Sequence, residues 1–339
     1  MYQSLEYIKN LAERTIPSMR YDGIETYESW KKRASEKLYE LLGLPFSICE
    51  DLFAVTAEEE CGAYKRIDFI YQSEEEYFVP GSLLVPHGII LPSKTAICIQ
   101  GHSTGMHISF GIEKFKGDAD LIAGGRNFAE RAAQEGYCAV VLEQRYMGSS
   151  GQLKDGAPLC ARRNAALPSL LFGRTAIGER VWDVQRLLDV LEKYFAEYVD
   201  MEQILCMGNS GGGTTTFYAA CVDDRIKLAM PSCSVCEFDD SIVSKHHCCC
   251  NYIPGIRKYF EMGDMAGLIA DRKLVIVCGL MDQDFPIEGV EKSYKRALMV
   301  FDELGRSEFC HLVKGPEGHQ FYPDLAWPTA NLLMEYNED

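Results

Sequence analysis

The stretch QILCMGNSGGG, residues 203–213, decides how the rest of the chain is interpreted. It starts as an apolar run typical of a buried strand, and residues 214–221 after it predict the start of a helix. Between them lies the pattern G-x-S-x-G with Ser210 at its centre. This pattern predicts a serine on a tight strand-to-helix turn, where glycines two positions away on either side let backbone segments cross closely.

A glycine-rich turn is also typical of a phosphate-binding loop. No Lys-Ser or Lys-Thr pair follows these glycines, and their spacing does not fit G-x-G-x-x-G. The motif therefore favours a nucleophilic serine. Such a serine needs a base to take its proton and an acid to orient the base.

Composition and charge limit the class of protein. The chain has 339 residues, of which 47% are hydrophobic and 25% charged, and a net charge of -16. So acidic a chain is a poor ligand for nucleic acid or for an anionic membrane. No apolar run reaches the roughly 20 residues of a membrane span. The N-terminus has no secretory pattern, and several of the 14 cysteines lie in strand-like runs, so we expect a cytoplasmic protein with reduced thiols.

The hydrophobic pattern divides the chain in two. Residues 1–60 are predicted to form a helical extension packed on the core, with a helix over 28–42 that ends at Gly43. Residues 61–339 are predicted to form one α/β domain. It begins with an antiparallel hairpin (64–71 and 77–85), after which strands alternate with helices. The predicted strands are 95–100, 137–142, 203–207, 226–230, 273–278 and 308–313. The predicted helices are 120–134, 178–198, 286–304 and 324–336.

Near-continuous apolar strands that alternate with helices predict a mostly parallel sheet covered by helices on both faces. Three long irregular stretches follow strands, at 101–119, 145–173 and 232–270, and we read the last two as loop insertions. Because ligands of open α/β sheets bind at the carboxyl ends of the strands, these stretches are expected to surround the site.

The acid and the base are expected downstream of Ser210, each after a strand. Asp282 and Asp284 both follow the strand at 273–278, and we favour Asp282 because Asp284 is better placed to cap the next helix. Asp239 and Asp240 are more distant alternatives. For the base, His319 lies in a loop after the last strand, whereas His311 lies within that strand. These positions predict a triad of Ser210, Asp282 and His319.

An oxyanion hole needs backbone N–H groups that point at the developing negative charge. Gly211, directly after the serine, is expected to supply one, and His102, after the strand at 95–100, the other. The side chain of His102 is expected to line the pocket. Arg145 and Tyr146 also follow a strand, where they either touch substrate or hold the loop together.

Residues 246–250 read HHCCC, which are metal-ligand types. Adjacent side chains cannot easily surround one ion, although Cys233 and Cys236 could add ligands. We therefore interpret this segment as a buried loop beside the mouth of the active site, and we predict no metal ligand and no cofactor.

The chain resembles the α/β-hydrolase superfamily, and within it the branch of dienelactone hydrolases and acetyl xylan esterases. The resemblance covers roughly residues 25–335. It is carried by the segments 100–105, 143–148, 173–183, 208–213, 251–255, 279–287 and 318–319. It implies the α/β-hydrolase fold and a serine ester hydrolase with the triad Ser210, Asp282 and His319, which removes a small acyl group such as acetyl through an acyl-serine intermediate.

The expected partner is a small-molecule or carbohydrate ester, and we expect no binding to nucleic acid or to a membrane. The sequence allows a homo-oligomer but does not determine the oligomeric state. Two alternatives remain. One is a thioesterase or peptidase with the same triad, and the other is a non-catalytic binding protein of this fold.

Overall fold

A nine-stranded sheet forms the centre of the structure, a computed structural model that describes residues 3–154 and 156–336. In chain order its strands are β1 (Phe53–Glu60), β2 (Tyr64–Glu74), β3 (Tyr77–Pro86), β4 (Ser93–Ile99), β5 (Cys138–Leu142), β8 (Val199–Asn209), β9 (Leu228–Ser232), β10 (Lys273–Gly279) and β11 (Cys310–Gly315). A separate two-stranded hairpin consists of β6 (Gln152–Lys154) and β7 (Ala157–Leu159).

The strand order across the sheet is β1-β2-β3-β5-β4-β8-β9-β10-β11. Six neighbouring strands, β5, β4, β8, β9, β10 and β11, run parallel to one another. The three N-terminal strands join them through antiparallel pairs. The predicted mostly parallel sheet with an antiparallel N-terminal hairpin is thereby confirmed. The strand β8 lies near the middle of the sheet, so that the residue after it is surrounded by the ends of its neighbours.

Helices cover both faces of the sheet, as predicted. They are α1 (Ser4–Arg14), α2 (Tyr27–Leu42), α3 (Asp118–Leu121), α4 (Phe128–Gln134), α5 (Ala176–Tyr194), α6 (Gly211–Val222), α7 (Met262–Ala266), α8 (Ile287–Glu303) and α9 (Pro323–Glu335). The helices α2, α5 and α6 pack on one another, whereas α4 and α9 form a separate layer joined by the ion pair of Arg131 with Asp324. Within the described residues, none of these helices combines the length and the apolar character needed to cross a bilayer.

The helix α2 follows the sequence prediction closely. The hydroxyl of Thr26 accepts a hydrogen bond from Ser29 N at 3.3 Å, which caps the first turn. Gly43 ends the helix with φ of 83°, a left-handed conformation that glycine adopts without steric cost. The apolar face of α2, including the fully buried Trp30, packs into the main core.

Two predicted elements differ from the structure. The segment before residue 60, predicted to be helical, ends instead in the edge strand β1, which pairs with β2. Its residues are nearly all exposed, so that no buried alternation marks the strand, and the stacking of Phe53 on Tyr194 at 4.2 Å holds it in place. The helix predicted over 120–134 is broken between α3 and α4, because Gly124 and Gly125 depart from helical geometry.

Candidate active site

Ser210 lies on the sharp turn between β8 and α6. Its φ of 57° and ψ of -123° fall in a region that non-glycine residues rarely adopt, a strain of about 1–3 kcal/mol that the surrounding structure must offset. The backbone N–H of Ser210 donates a 2.8 Å hydrogen bond to the carbonyl of Ser232, at the end of β9. This contact fixes the turn to the neighbouring strand.

The two glycines of the motif are required by close backbone contacts. A Cβ on Gly208 would lie 2.5 Å from the carbonyl carbon of Gly212. A Cβ on Gly212 would lie 2.1 Å from the carbonyl oxygen of Ile99, at the end of β4. Real Cβ atoms do not approach other atoms so closely, so a side chain at either position would push α6 away from the sheet.

Asp282 and His319 form a hydrogen-bonded pair after β10 and β11. The distance between Asp282 Oδ2 and His319 Nδ1 is 2.8 Å. The other carboxylate oxygen accepts hydrogen bonds from the N–H groups of Asp284 at 2.9 Å and Phe285 at 3.1 Å. A carboxylate only accepts, so His319 Nδ1 carries the proton and Nε2 is left as the basic atom.

The surroundings keep Asp282 ionised. Burial by itself would raise the pKa of this carboxyl, whose residue is 5% exposed. The hydrogen bond and the charge of His319, together with the two backbone N–H groups, outweigh burial and lower the pKa of Asp282 below its ordinary value. The carboxylate can therefore accept a hydrogen bond from the imidazole and orient it.

The other candidate acids and the second histidine have different contacts. Asp284 does not cap α8, whose first turn lacks a side-chain cap, contrary to the expectation from sequence. Asp239 forms an ion pair with Arg257, and Asp240 forms one with Lys292. His311 Nε2 lies 2.8 Å from the carbonyl oxygen of Glu308 in its own segment.

Ser210 and His319 line one cavity of about 540 Å³. All three irregular stretches contribute to its wall, as their positions after strands predict. The lining residues are His102, Ser103, Arg126, Pro158, Leu159, Cys160, Arg162, Ser210, Gly211, Thr214, His246, His247, Cys248, Asn251, Asp284, Phe285 and His319.

The two predicted oxyanion donors lie beside this cavity. Gly211 is the first residue of α6, and neither its N–H nor that of His102 donates to any residue within 3–154 and 156–336. A Cβ on Gly101 would lie 3.1 Å from Ser210 Cβ, so the loop after β4 passes next to the serine. Both residues therefore lie near Ser210, and their role as oxyanion donors stays a prediction.

Arg126 was not predicted from the sequence. It is 7% exposed, it lines the cavity, and its Nε and Nη2 atoms are buried without a hydrogen-bond partner. Burial lowers its pKa to about 10, which still leaves the side chain charged at neutral pH. A Cβ on Gly101 would lie 3.1 Å from Arg126 Nη2 as well as from Ser210 Cβ, so the guanidinium flanks the serine. In the sequence, Arg126 is marked only by its position near two glycines that interrupt a predicted helix. Arginines in such positions are too common to indicate a functional residue.

Arg145 holds the loop together and does not line the cavity. Its guanidinium forms two 2.8 Å hydrogen bonds with Asp183 and a 2.6 Å ion pair with Glu74. Trp182, beside Asp183 on α5, donates from Nε1 to the carbonyl of Ser73 at 2.9 Å. These buried contacts connect the start of the 145–173 insertion to β2 and α5.

The cysteine-rich segment lies at the cavity, as predicted, but of residues 246–250 only Cys250 is buried. Two of its thiols have neighbours that the sequence did not reveal. Cys248 and Cys250 lie next to Cys160 and His102. By contrast, Cys233 and Cys236 are not part of this group: Cys233 Sγ donates to the carbonyl of Gln320 and Cys236 Sγ to that of Pro286.

The fold is the α/β-hydrolase fold, and comparisons with known proteins support the resemblance seen in the sequence. A "putative acetyl xylan esterase" from Bacteroides fragilis NCTC 9343 superposes with a TM-score of 0.75 at 14% identity, covering 96% of this chain and 84% of that one. A glucuronoyl esterase from Solibacter usitatus gives a TM-score of 0.67 at 14% identity, covering 95% and 97%. An acetyl xylan esterase from Paenibacillus sp. R4 gives 0.58 at 16% identity, covering 99% and 100%.

Sequence comparisons agree with this class over shorter ranges. The family model described as "Glucuronyl esterase, fungi" matches residues 171–238, which include the turn at Ser210. The "Putative hydrolase YtaP" of Bacillus subtilis (strain 168) is 29% identical over 155 residues, or 44% of this chain. That match spans 50% of the length of the curated relative. The sequence matches therefore cover part of the chain, whereas the structural similarity covers nearly all of it.

Proposed function

We propose that this protein is a serine carboxylic ester hydrolase that acts on carbohydrate or other small esters. One observation carries the proposal: Ser210, on a strained strand-to-helix turn, and His319, hydrogen-bonded to Asp282 at 2.8 Å, line the same cavity. A serine with a base and an oriented acid is the arrangement that acyl transfer requires.

The proposed reaction begins with proton transfer from Ser210 Oγ to His319 Nε2 as the oxygen attacks the ester carbonyl. The negative charge that develops on the carbonyl oxygen is stabilised by the N–H groups of Gly211 and His102. Collapse of the tetrahedral intermediate breaks the bond to the alcohol, which takes the proton from His319. Water, deprotonated by the same histidine, then attacks the acyl-serine and releases the acid.

Arg126 gives the proposed site an additional positive charge. Its guanidinium flanks Ser210 and has no carboxylate within 4.0 Å among the described residues. Because a buried cation without a partner is costly, a substrate oxygen with negative charge would stabilise it. We propose that Arg126 binds either the developing oxyanion or a polar oxygen next to the reacting carbonyl.

For the acyl group, we propose acetyl or another small acyl, carried on a carbohydrate. The similarity to acetyl xylan esterases supports this choice. A second candidate is the ester of a uronic acid, in which the sugar supplies the acyl part. It is favoured by the family model over 171–238 and by Arg126, which fits the carboxylate product of such a reaction.

The other hypotheses have less support. A thioesterase or peptidase would use the same three residues, but the solved structures with this fold reported above are named as esterases. A non-catalytic binding protein would not need the strained turn at Ser210 or the oriented pair at 282 and 319. We further propose a cytoplasmic location, supported by 14 cysteines that are all free of disulfides.

Turnover of p-nitrophenyl acetate by the wild type, by Ser210→Ala and by Ser234→Ala tests the proposal. Ser234 is a buried serine outside the proposed triad. We expect Ser210→Ala to lose at least about a thousandfold in kcat/KM and Ser234→Ala to retain most of it. A fluorophosphonate should label Ser210 in the wild type, as read by peptide mass spectrometry. Unchanged turnover by Ser210→Ala would refute the mechanism.

The substrate is tested with a panel in which the acyl part and the alcohol part vary separately. It contains p-nitrophenyl esters of increasing acyl length, acetylated xylo-oligosaccharides and the methyl ester of glucuronic acid. Acetyl specificity predicts release of acetate from the oligosaccharides and a steep decline with acyl length. Faster hydrolysis of the glucuronate ester would instead favour the second candidate.

A further inference from the structure

Four potential metal ligands meet beside the cavity, although they come from distant parts of the chain. His102 follows β4, Cys160 follows β7, and Cys248 and Cys250 lie in the insertion after β9. Their ligand atoms all lie within 4.8 Å of one another. Cys250 is 1% exposed and Cys160 is 9% exposed, whereas His102 and Cys248 are half-buried and lie, with Cys160, at the wall of the cavity.

Two of the distances between the sulfur atoms are near those of a tetrahedral site. Cys160 Sγ lies 3.7 Å from Cys250 Sγ, and Cys248 Sγ lies 3.3 Å from Cys250 Sγ. Sulfur atoms bound to one zinc ion at about 2.3 Å would be roughly 3.8 Å apart in ideal tetrahedral geometry. The observed distances are close to that value and well beyond the ~2.05 Å of a disulfide bond. Three cysteines and one histidine form a common ligand set of structural zinc sites.

His102 offers a buried imidazole nitrogen next to these thiols. Its Nε2 atom is buried, and no residue within 3–154 and 156–336 forms a hydrogen bond with it. Because an unpaired buried polar atom costs free energy, a ligand at this nitrogen would stabilise the folded protein. The three neighbouring cysteines make a soft metal cation the ligand that fits.

Arg180 provides independent evidence that the group carries negative charge. Its side chain is 2% exposed, and its Nη2 donates to Cys250 Sγ at 3.5 Å. Its Nε donates to the carbonyl of Arg145 at 3.1 Å, and among the described residues no carboxylate lies within 4.0 Å of it. Zn²⁺ with three thiolates and one neutral imidazole has a net charge of -1 by simple addition, which balances the guanidinium.

We propose that His102, Cys160, Cys248 and Cys250 bind one zinc ion in a closed, tetrahedral, structural site. Binding converts the three thiols to thiolates and releases their protons to solvent. With four protein ligands, the ion has no open position for a water nucleophile, so it does not carry out the hydrolysis. Instead it joins the loop after β4 to both insertions and fixes the residue whose N–H is proposed to bind the oxyanion.

Zinc content of the full-length protein, isolated under reducing conditions without chelators, tests the site directly. We expect about one zinc ion per chain in the wild type and almost none in Cys160→Ser or Cys250→Ser. Cys249→Ser is the matched control, since Cys249 lies between two ligands and its thiol donates to the carbonyl of Arg162. This variant should keep its zinc, as should Ser210→Ala, which separates this proposal from the proposed hydrolysis.

A second measurement uses Co²⁺ and remains informative if the serine variants do not fold. Wild-type protein reconstituted with Co²⁺ should show intense thiolate-to-metal charge-transfer bands and the visible bands of tetrahedral cobalt, and Cys249→Ser should show the same bands. The proposal would be overturned by wild-type protein that holds no zinc and shows no such bands. It would also be overturned by loss of zinc from Cys249→Ser, or by a disulfide among Cys160, Cys248 and Cys250 in freshly isolated protein.

Discussion

The Nδ1 atom of His319 lies 2.8 Å from Asp282 Oδ2, and this contact joins the ends of the strands β10 and β11. The pairing of these strands is parallel from Leu274 with Cys310 to Gly279 with Gly315. Because the register is fixed over six residue pairs, the two loops that follow the strands leave the sheet side by side. The sheet thus sets the orientation of the imidazole.

Replacing Asp282 with Asn should lower kcat for ester hydrolysis by about 10²–10⁴-fold with little change in KM. An amide can donate to Nδ1, which would favour the tautomer with its proton on Nε2 and block proton transfer from Ser210. Steady-state kinetics with p-nitrophenyl acetate measure the loss. Asp284→Asn is the control, because Asp284 does not contact His319 through its side chain in the structure, and an equal loss in both variants would contradict the assignment.

Replacing Arg126 with Met should lower kcat/KM by about 10–100-fold, the range expected when a hydrogen bond to a charged group is lost. The same change should leave the melting temperature unchanged or raise it, because two guanidinium nitrogens are buried without partners. Kinetics and thermal unfolding measure the two effects. Arg131→Met is the control, since this arginine of α4 forms surface ion pairs. Full activity in Arg126→Met would refute a role in substrate binding.

Gly212→Ala should destabilise the protein by at least about 1–3 kcal/mol, because the new Cβ would lie 2.1 Å from a backbone oxygen of β4. Gly124→Ala is a matched control. At that position φ is -78° and a Cβ would meet nothing within 4 Å. Urea unfolding followed by circular dichroism gives both free energies of unfolding. Similar stabilities would mean that α6 can shift away from β4 without cost.

Glu143 should make the stability of the protein depend on pH near neutrality. Burial raises the pKa of this carboxyl to about 7, while the N–H groups of Ser149 and Met106 oppose the shift. A carboxyl whose pKa is higher in the folded state contributes most stability below its pKa in the unfolded chain. That contribution is lost as the pH rises towards about 7.

Thermal and urea unfolding at about pH 5 and about pH 8 test this prediction by comparing the wild type with Glu143→Gln. The wild type should lose up to about 3 kcal/mol more than the variant over that interval. The amide of the variant stays neutral, so the free energy of unfolding of Glu143→Gln should lack the part of the pH dependence that comes from the titration of Glu143. Equal pH dependence in the two proteins would show that Glu143 is not the group responsible.

The parallel sheet and its helices could be predicted from sequence because their signals are local. Apolar runs such as residues 274–278 mark buried strands, and Gly43 marks a helix end. The strand β1 escaped prediction because its residues, including Val55 and Glu58, are exposed and show no alternation. Its position depends on pairing with β2, which the local pattern does not encode.

The proposed triad could be located in the sequence because each member follows a strand in a recognisable order. The arginine at 126 and the group of cysteines with His102 could not. Cys160 and Cys250 are 90 positions apart, and spacing rules detect metal ligands only when they lie close together in the chain. Such contacts appear only when the long insertions are folded against each other.

The order of strands in the sheet has a consequence for folding during synthesis on the ribosome. The proposed base follows β11, the last strand, which lies at the edge of the sheet and pairs only with β10 among the described strands. A nascent chain can therefore assemble the centre of the sheet, with Ser210 on its turn, before His319 leaves the exit tunnel. The proposed nucleophile would be in place on its turn but would lack its base until His319 has been synthesised and β11 has paired with β10.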